Sequence, residues 1–160
     1  MYLFLSHKLD PEGLAWPGEP VIKVEQMTDV SDDCPFCSFI STLPNHFGTH
    51  MDAPRHFVKN GISINELPVE YFFHKKTALL EIPKSDAQGI TKEDLEPFAN
   101  VLSQVSFALI RTGFEQYKFT EPERYQKEGP YIAPSAGIYL SENFPDLKGI
   151  GMDFLAIGSP

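Results

Sequence analysis

Cysteine is scarce in this chain. Cys34 and Cys37 are too few for a disulfide framework. Tryptophan is scarcer still, with Trp16 alone. No apolar run approaches the roughly 18 to 20 residues that a membrane span needs: the longest, Thr77 to Ile82 around Glu81 and Val105 to Ile110, are of strand length. Basic residues are outnumbered, 13 Lys and Arg against 22 Asp and Glu, and a formal net charge of −9 repels a phosphate backbone. No basic stripe reverses that field locally, which argues against a nucleic-acid partner. The opening MYLFLSHKLD has neither the basic start nor the long apolar core of a signal peptide. The expectation is a cytoplasmic protein with no membrane partner.

What is present is ordinary for a globular domain: 160 residues, 42% of them apolar and 22% charged. Fourteen prolines and 11 glycines divide the chain into short elements. Tyr2 to Leu5, Val21 to Met27 and Phe36 to Leu43 read as strands, with the turn-rich stretch Pro11 to Pro20 between the first two. Ala78 to Ile82 and Phe107 to Arg111 are apolar runs bounded by turn signals, the pattern of strands buried on both faces. Between them Thr91-Lys92-Glu93-Asp94 resembles a capped helix start, and Leu95, Phe98, Ala99 and Leu102 recur at helical spacing despite Pro97. Ser135 to Asn143 reads as a second helix, with Ser135 near its start as an N-cap, and Gly149 to Ile157 as a last strand. The late elements alternate as in an α/β fold.

Three of the five histidines and one aspartate fall within HFGTHMDAPRHF, residues 46–57. In an extended chain His46, His50, Asp52 and His56 share parity and one face, while Phe47, Met51 and Phe57 point the other way. Full extension would leave His46 and His56 about 33 Å apart at roughly 3.3 Å per residue, so a common site requires the backbone to bend. Gly48 permits such a bend, and Pro54 biases Ala53 away from helix. Imidazole nitrogen with carboxylate oxygen suits zinc, manganese or iron. Three ligands from one segment leave a coordination position open for water, which points to catalysis rather than to a structural metal. Surface or hydrogen-bonded core histidines are the plain alternative for any one of these residues, but a poor one for the set.

The same stretch reproduces the pattern H-x-G-T-H-x-D-x-P-x-H, and on it the chain resembles the cyclase family of metal-dependent hydrolases, which includes bacterial kynurenine formamidase and isatin hydrolase. Leu5-Ser6-His7 with Trp16-Pro17-Gly18, Leu109 to Gly113, and Gly151-Met152-Asp153 extend the resemblance over nearly the whole chain. It implies an α/β fold of the swivelling β/β/α kind and a single domain over residues 1–160. It also implies metal ligands at His46, His50 and Asp52, with zinc or manganese as the ion. His56 is then the catalytic proton-transfer residue. Two-metal members take a further histidine and glutamate from a segment beyond the region matching Gly151 to Pro160. No histidine follows His74, and the domain is therefore expected to lack its C-terminal elements, as a fragment of a longer protein in the favoured reading or as a shortened homologue with an incomplete site in the other. The resemblance also implies a homodimer or higher homo-oligomer.

The expected chemistry is hydrolysis of a small aromatic amide, as in tryptophan catabolism. N-formylkynurenine would be opened to kynurenine and formate by hydroxide generated from metal-bound water, and His56, whose type titrates near 6.5, would shuttle the proton. An isatin-type cyclic amide is the alternative substrate. A non-catalytic metal-containing binding protein and a lyase or cyclase that stabilises an enolate are alternatives of other classes. Trp16, Phe36, Phe39 and Phe47 are candidates to line the aromatic pocket, Trp16 foremost because it lies in a Pro/Gly-rich loop. Cys34-Pro35-Phe36-Cys37 has C-x-x-C spacing but neither a second pair nor a following helix, so no redox or zinc role is assigned to it. His7 reads as a structural hydrogen-bonding residue, and Arg111 and His74 carry no argument beyond position.

Overall fold

The computed structural model describes residues 4–159, which separate into two compact units meeting between Glu66 and Leu67. Tyr2 and Leu3 of the expected first strand lie outside the described residues, and Phe4 and Leu5 are irregular.

In the first unit, strands β1 (Lys23–Thr28) and β2 (Ser38–Thr42) form an antiparallel pair, running from Lys23 opposite Thr42 to Gln26 opposite Phe39. The register shifts between Gln26 and Thr28, a bulge that still lets the Thr28 and Ser38 hydroxyls meet at 2.8 Å. Ser31 and Cys34 exchange backbone hydrogen bonds of 2.8 and 3.2 Å and tie off the connection. Ile22 and Phe47 are the buried apolar side chains of this unit. The remainder is loop and short 3₁₀ turns at Pro54–His56 and Ile64–Glu66.

The second unit is built on a three-stranded parallel sheet in the order β3 (Thr77–Glu81), β5 (Phe107–Arg111), β7 (Gly149–Met152). Two-residue strands β4 (Gly89–Ile90) and β6 (Tyr131–Ile132) pair in parallel beside it as a separate ladder. Expected burial on both faces of β3 and β5 is not what the sheet shows. Leu80, Ala108 and Ile110 are buried, whereas Leu79 on the other parity is 55% exposed. The helices of this unit contribute buried apolar side chains, among them Leu95, Leu102, Ala136 and Leu140, to the same core as Leu80, Ala108 and Ile110, and Leu79 is left outside it. On the opposite face Phe107 and Leu109 lean over β7, where a Cβ at Gly149 would sit 2.9 Å from Phe107 Cε2 and one at Gly151 2.7 Å from Leu109 Cδ2.

The helix expected after Thr91 exists but is broken. Helix α1 (Lys92–Leu95) passes through a 3₁₀ turn at Glu96–Phe98 into α2 (Ala99–Leu102), because Pro97 supplies no amide hydrogen to an α-helical ladder. Asp94 reaches back to accept from Thr91 N at 2.8 Å, and Lys84 Nζ lies 2.7 Å from the same carboxylate oxygen. Helices α3 (Tyr117–Thr120) and α4 (Pro122–Lys127) follow β5, where the sequence pattern predicts none. Helix α5 (Pro134–Asn143) starts with proline at its first position after Ala133. Ser135 is therefore inside the helix rather than its cap, and its hydroxyl instead accepts the Lys92 N–H of α1 at 3.4 Å.

The expected last strand stops at Met152 because Asp153 turns its carboxylate back on the end of β5. It accepts from Thr112 N at 3.0 Å, Thr112 Oγ1 at 2.7 Å and Gly113 N at 2.8 Å, and Gly113 takes the left-handed conformation at φ +84°. Burial pushes the Asp153 carboxyl up, but hydrogen bonds from Glu115, Thr112 and Gly113 outweigh it and hold it below its ordinary range. Glu115 is raised by the hydrogen bond to Asp153 and by burial, so the two carboxyl groups favour holding one proton between them. The buried Tyr125 hydroxyl is pushed up to about 12 by burial and by these two neighbours.

Candidate metal centre

Leaving β2, the chain turns at Asn45 and His46, and Phe47 anchors the segment by burying its ring, which is 6% exposed. Gly48 follows at φ +67°, a conformation that disfavours any side chain, and a Cβ there would lie 2.7 Å from Leu9 Cδ2. The backbone amide of His7 donates to Thr49 Oγ1 at 3.0 Å, tying the N-terminal stretch to this bend. Ala53 is extended, as its place before proline requires, and Pro54 opens the 3₁₀ turn that carries His56. That turn is held from below: Arg55 N donates to Ile62 O at 3.1 Å, and Gly61 packs so closely that a Cβ would meet the Pro54 carbonyl carbon at 2.8 Å.

These bends bring together three of the residues the sequence singles out. His46 Nδ1 lies 3.0 Å from Asp52 Oδ1 and 3.1 Å from His50 Nε2, and His50 Nε2 lies 3.4 Å from Asp52 Oδ1. Among the described residues, His46, His50 and Asp52 form the one group of three or more such side chains close enough to hold an ion. The triangle has the right size. Donors bonded at about 2.0 to 2.2 Å around a tetrahedral ion stand roughly 3.3 to 3.6 Å apart, and somewhat closer at right angles. His50 is also oriented to bind an ion, because its Nδ1 faces Gly48 O at 2.9 Å, so the proton sits there and the Nε2 lone pair faces the triangle. The three side chains are 31%, 30% and 39% exposed, open enough for an ion to enter.

His56 lies beside this group, its ring centroid 4.0 Å from that of His46 and 4.2 Å from that of Phe57. An open cleft of ≈ 450 Å³ is lined by His46, Asp52 and His56 together with Arg55, Met51 and Ile64. The structure does not bring the expected aromatic residues to this cleft. Phe47 is interior, and Trp16, Phe36 and Phe39 are exposed outside the lining. Met51 and Ile64 supply the apolar wall instead; Met51, which strand parity would point away from the histidines, lines the same cleft because the segment is bent rather than extended. Cys34 and Cys37 are free thiols occupied locally: Cys34 Sγ lies 3.3 Å from Phe36 O, and Cys37 Sγ accepts from Gln26 Nε2 at 3.7 Å. Arg111 is engaged with Glu81 at 3.3 Å and Glu115 at 3.6 Å, while His74 meets Ser106 Oγ and the Phe107 ring.

A parallel-sheet unit together with a histidine and aspartate cluster on a bent loop defines a mixed α/β protein with a candidate metal centre. The family described as "Putative cyclase" matches residues 3–159, and the chain belongs to that family. It is 65% identical over 127 residues to a Haemophilus influenzae protein described as uncharacterized, covering 79% of this chain and 89% of that one. It is 28% identical over 152 residues to the kynurenine formamidase of Bacillus thuringiensis subsp. konkukian, covering 95% of this chain and 68% of the relative. A kynurenine formamidase of Maricaulis maris is 32% identical over 68 residues, 42% of this chain and 32% of that protein. The crystal structure of a novel cyclase shares the fold at a TM-score of 0.69 and 15% identity, over 98% of this chain and 65% of the other. The chain thus spans about two-thirds of the length of that solved cyclase and of the Bacillus formamidase. No helix is long and apolar enough to cross a membrane among the described residues.

Proposed function

We propose that this protein is a metal-dependent hydrolase of small aromatic amides, with N-formylkynurenine as the first substrate to test and an isatin-type cyclic amide as the second. The observation that carries this reading is the donor triangle of His46 Nδ1, His50 Nε2 and Asp52 Oδ1, with the His56 ring against it in an open cleft. Family membership and relatives named kynurenine formamidase support it. The cleft volume falls within the range usual for small-molecule sites.

His46, His50 and Asp52 fit a divalent ion, zinc or manganese, by donor type and by spacing. When bound there, such an ion acidifies water and polarises an amide carbonyl. The residues of the chain do the rest. Asp52 brings a negative charge that two neutral imidazoles lack, Gly48 O fixes the His50 tautomer, and the Pro54–His56 turn sets His56 at the rim of the triangle. From there the His56 imidazole takes a proton from the attacking water and returns it to the departing amide nitrogen, which leaves poorly without it. Met51 and Ile64 give the aromatic ring an apolar wall, and Arg55 offers a positive charge to an acidic substituent.

The test is formate release from N-formylkynurenine, and ring opening of isatin, by the chain loaded with zinc or manganese. His56→Ala is expected to keep its metal while kcat falls 10²- to 10⁴-fold, on the order expected for loss of a general acid–base. Full turnover by that variant would remove His56 from the mechanism. Tight binding of either amide without hydrolysis by the loaded wild type would identify a binding protein rather than an enzyme.

A further inference from the structure

His46 shows its two ring nitrogens to unlike neighbours. Nδ1 faces Asp52 Oδ1 and His50 Nε2 at 3.0 and 3.1 Å, whereas Nε2 faces Asn45 Nδ2 at 2.8 Å. A neutral imidazole carries one proton, so each neighbour constrains the other. With the Asn45 amino group donating to Nε2, the proton sits on Nδ1 and donates toward Asp52. That arrangement satisfies Asn45, Asp52 and His50 together, but a protonated Nδ1 has no lone pair to give to an ion.

His50 does not share this problem. Its Nδ1 meets the Gly48 carbonyl, which only accepts, so its tautomer is the same with or without metal. Asn45 is different because a carboxamide is reversible. A half-turn about Cβ–Cγ puts Oδ1 where Nδ2 stood, with almost no change in shape, and turns a donor into an acceptor. Asn45 is exposed, so nothing in the interior has to move with it.

We propose that Asn45 is the positioning residue of the metal centre: with an ion bound, its Oδ1 accepts Nε2–H of His46 and commits Nδ1 to the ion; without one, its Nδ2 donates to Nε2. The proton passes from Nδ1 to Nε2 of one ring, by way of solvent, so the tautomer change releases none. This rests on the reading of His46, His50 and Asp52 as metal ligands. It adds a partner outside the H-x-G-T-H-x-D-x-P-x-H pattern, one residue before its first histidine.

Two measurements decide it. In protein labelled with ¹⁵N-histidine, long-range proton–nitrogen correlations should place the His46 proton on Nδ1 in the chelator-treated chain and on Nε2 after zinc is added. Zinc competition against a chromophoric chelator should show Asn45→Asp, which can only accept, binding no more weakly than wild type. Asn45→Leu, which does neither, should bind 10- to 100-fold more weakly, on the order expected for loss of a partner that orients a ligand. Wild-type affinity in Asn45→Leu, or an Asn45→Asp as weak as Asn45→Leu, would overturn the proposal. So would a His46 proton that stays on Nδ1 in the zinc form, a result that needs no variant to fold. A wild type that binds no zinc would instead bring down the metal-ligand reading itself, and this proposal with it.

Discussion

The two units divide the work between them. The second buries Phe114, Leu80, Ile90, Leu95, Leu102 and Ile110 almost completely, over a sheet whose parallel strands need crossovers to cover them. The first buries Ile22 and Phe47 and holds its shape by a two-stranded ladder, backbone turns and polar contacts, yet it carries the histidine and aspartate cluster. A two-stranded hairpin alone is marginal in water. Side chains gathered on bent loops have little packing beneath them to hold their geometry, so a bound ion would contribute to ordering this segment as well as to chemistry. Apolar burial and the proposed donor atoms therefore occupy different stretches of sequence.

Variants can break that division. The largest stability effect is expected from Phe114→Ala, which empties a fully buried aromatic site beside Tyr117 and Tyr125. It should cost about 3 to 5 kcal/mol in urea unfolding while leaving the zinc affinity of the folded protein unchanged. A large loss of zinc affinity would show that the division is false. Gly61→Ala should act the other way. Its Cβ meets the backbone of Pro54 and Arg55, which cannot yield like the tip of a flexible side chain, so the turn bearing His56 must shift. The expected cost is about 1 to 3 kcal/mol, with kcat lowered and metal retained, read by denaturation and by formate release. Wild-type activity in Gly61→Ala would mean that the turn does not position His56.

The smallest effect is expected at Glu115, whose pKa is raised while that of Asp153 is lowered. A raised carboxyl stabilises the fold below its unfolded value, and that contribution fades as pH rises through the folded value. The lowered Asp153 behaves oppositely and loses its contribution only as pH falls through its own depressed value. Above the ordinary glutamate value of 4.5, the wild type should therefore lose some stability that Glu115→Gln, a permanent donor to Asp153, retains. Glu115 is partly exposed, and solvent keeps the effect small. Thermal melts of the two proteins across that range should converge at acid pH and diverge above it; parallel curves would show that no proton is shared.

How much can be read from the sequence follows the same division. Strands β3 and β5 and helix α5 are legible nearly to the residue because apolar runs and turn signals bound them. Helices α3 and α4, of four and six residues, are too short for a 3.6-residue period to register. One-sided burial of β3 is not legible, since Leu79 and Leu80 are equally apolar and only the tertiary structure decides which is covered. In the candidate metal segment, residue types and parity group His46, His50, Asp52 and His56, and Gly48 and Pro54 mark the bends. The expected aromatic lining is misplaced because hydrophobicity alone does not say which rings face a cleft. Asn45 gives no signal in the sequence because its part depends on which imidazole nitrogen faces which neighbour, and that is visible only in three dimensions.

On the proposed function, one short loop of the first unit holds a divalent ion through His46, His50 and Asp52. Elemental analysis of the chelator-stripped, zinc-reloaded and desalted chain, compared with His50→Ala treated alike, tests it most directly. About one zinc per wild-type chain and none in the variant is the predicted result; no zinc in the wild type, or equal zinc in both, would contradict it.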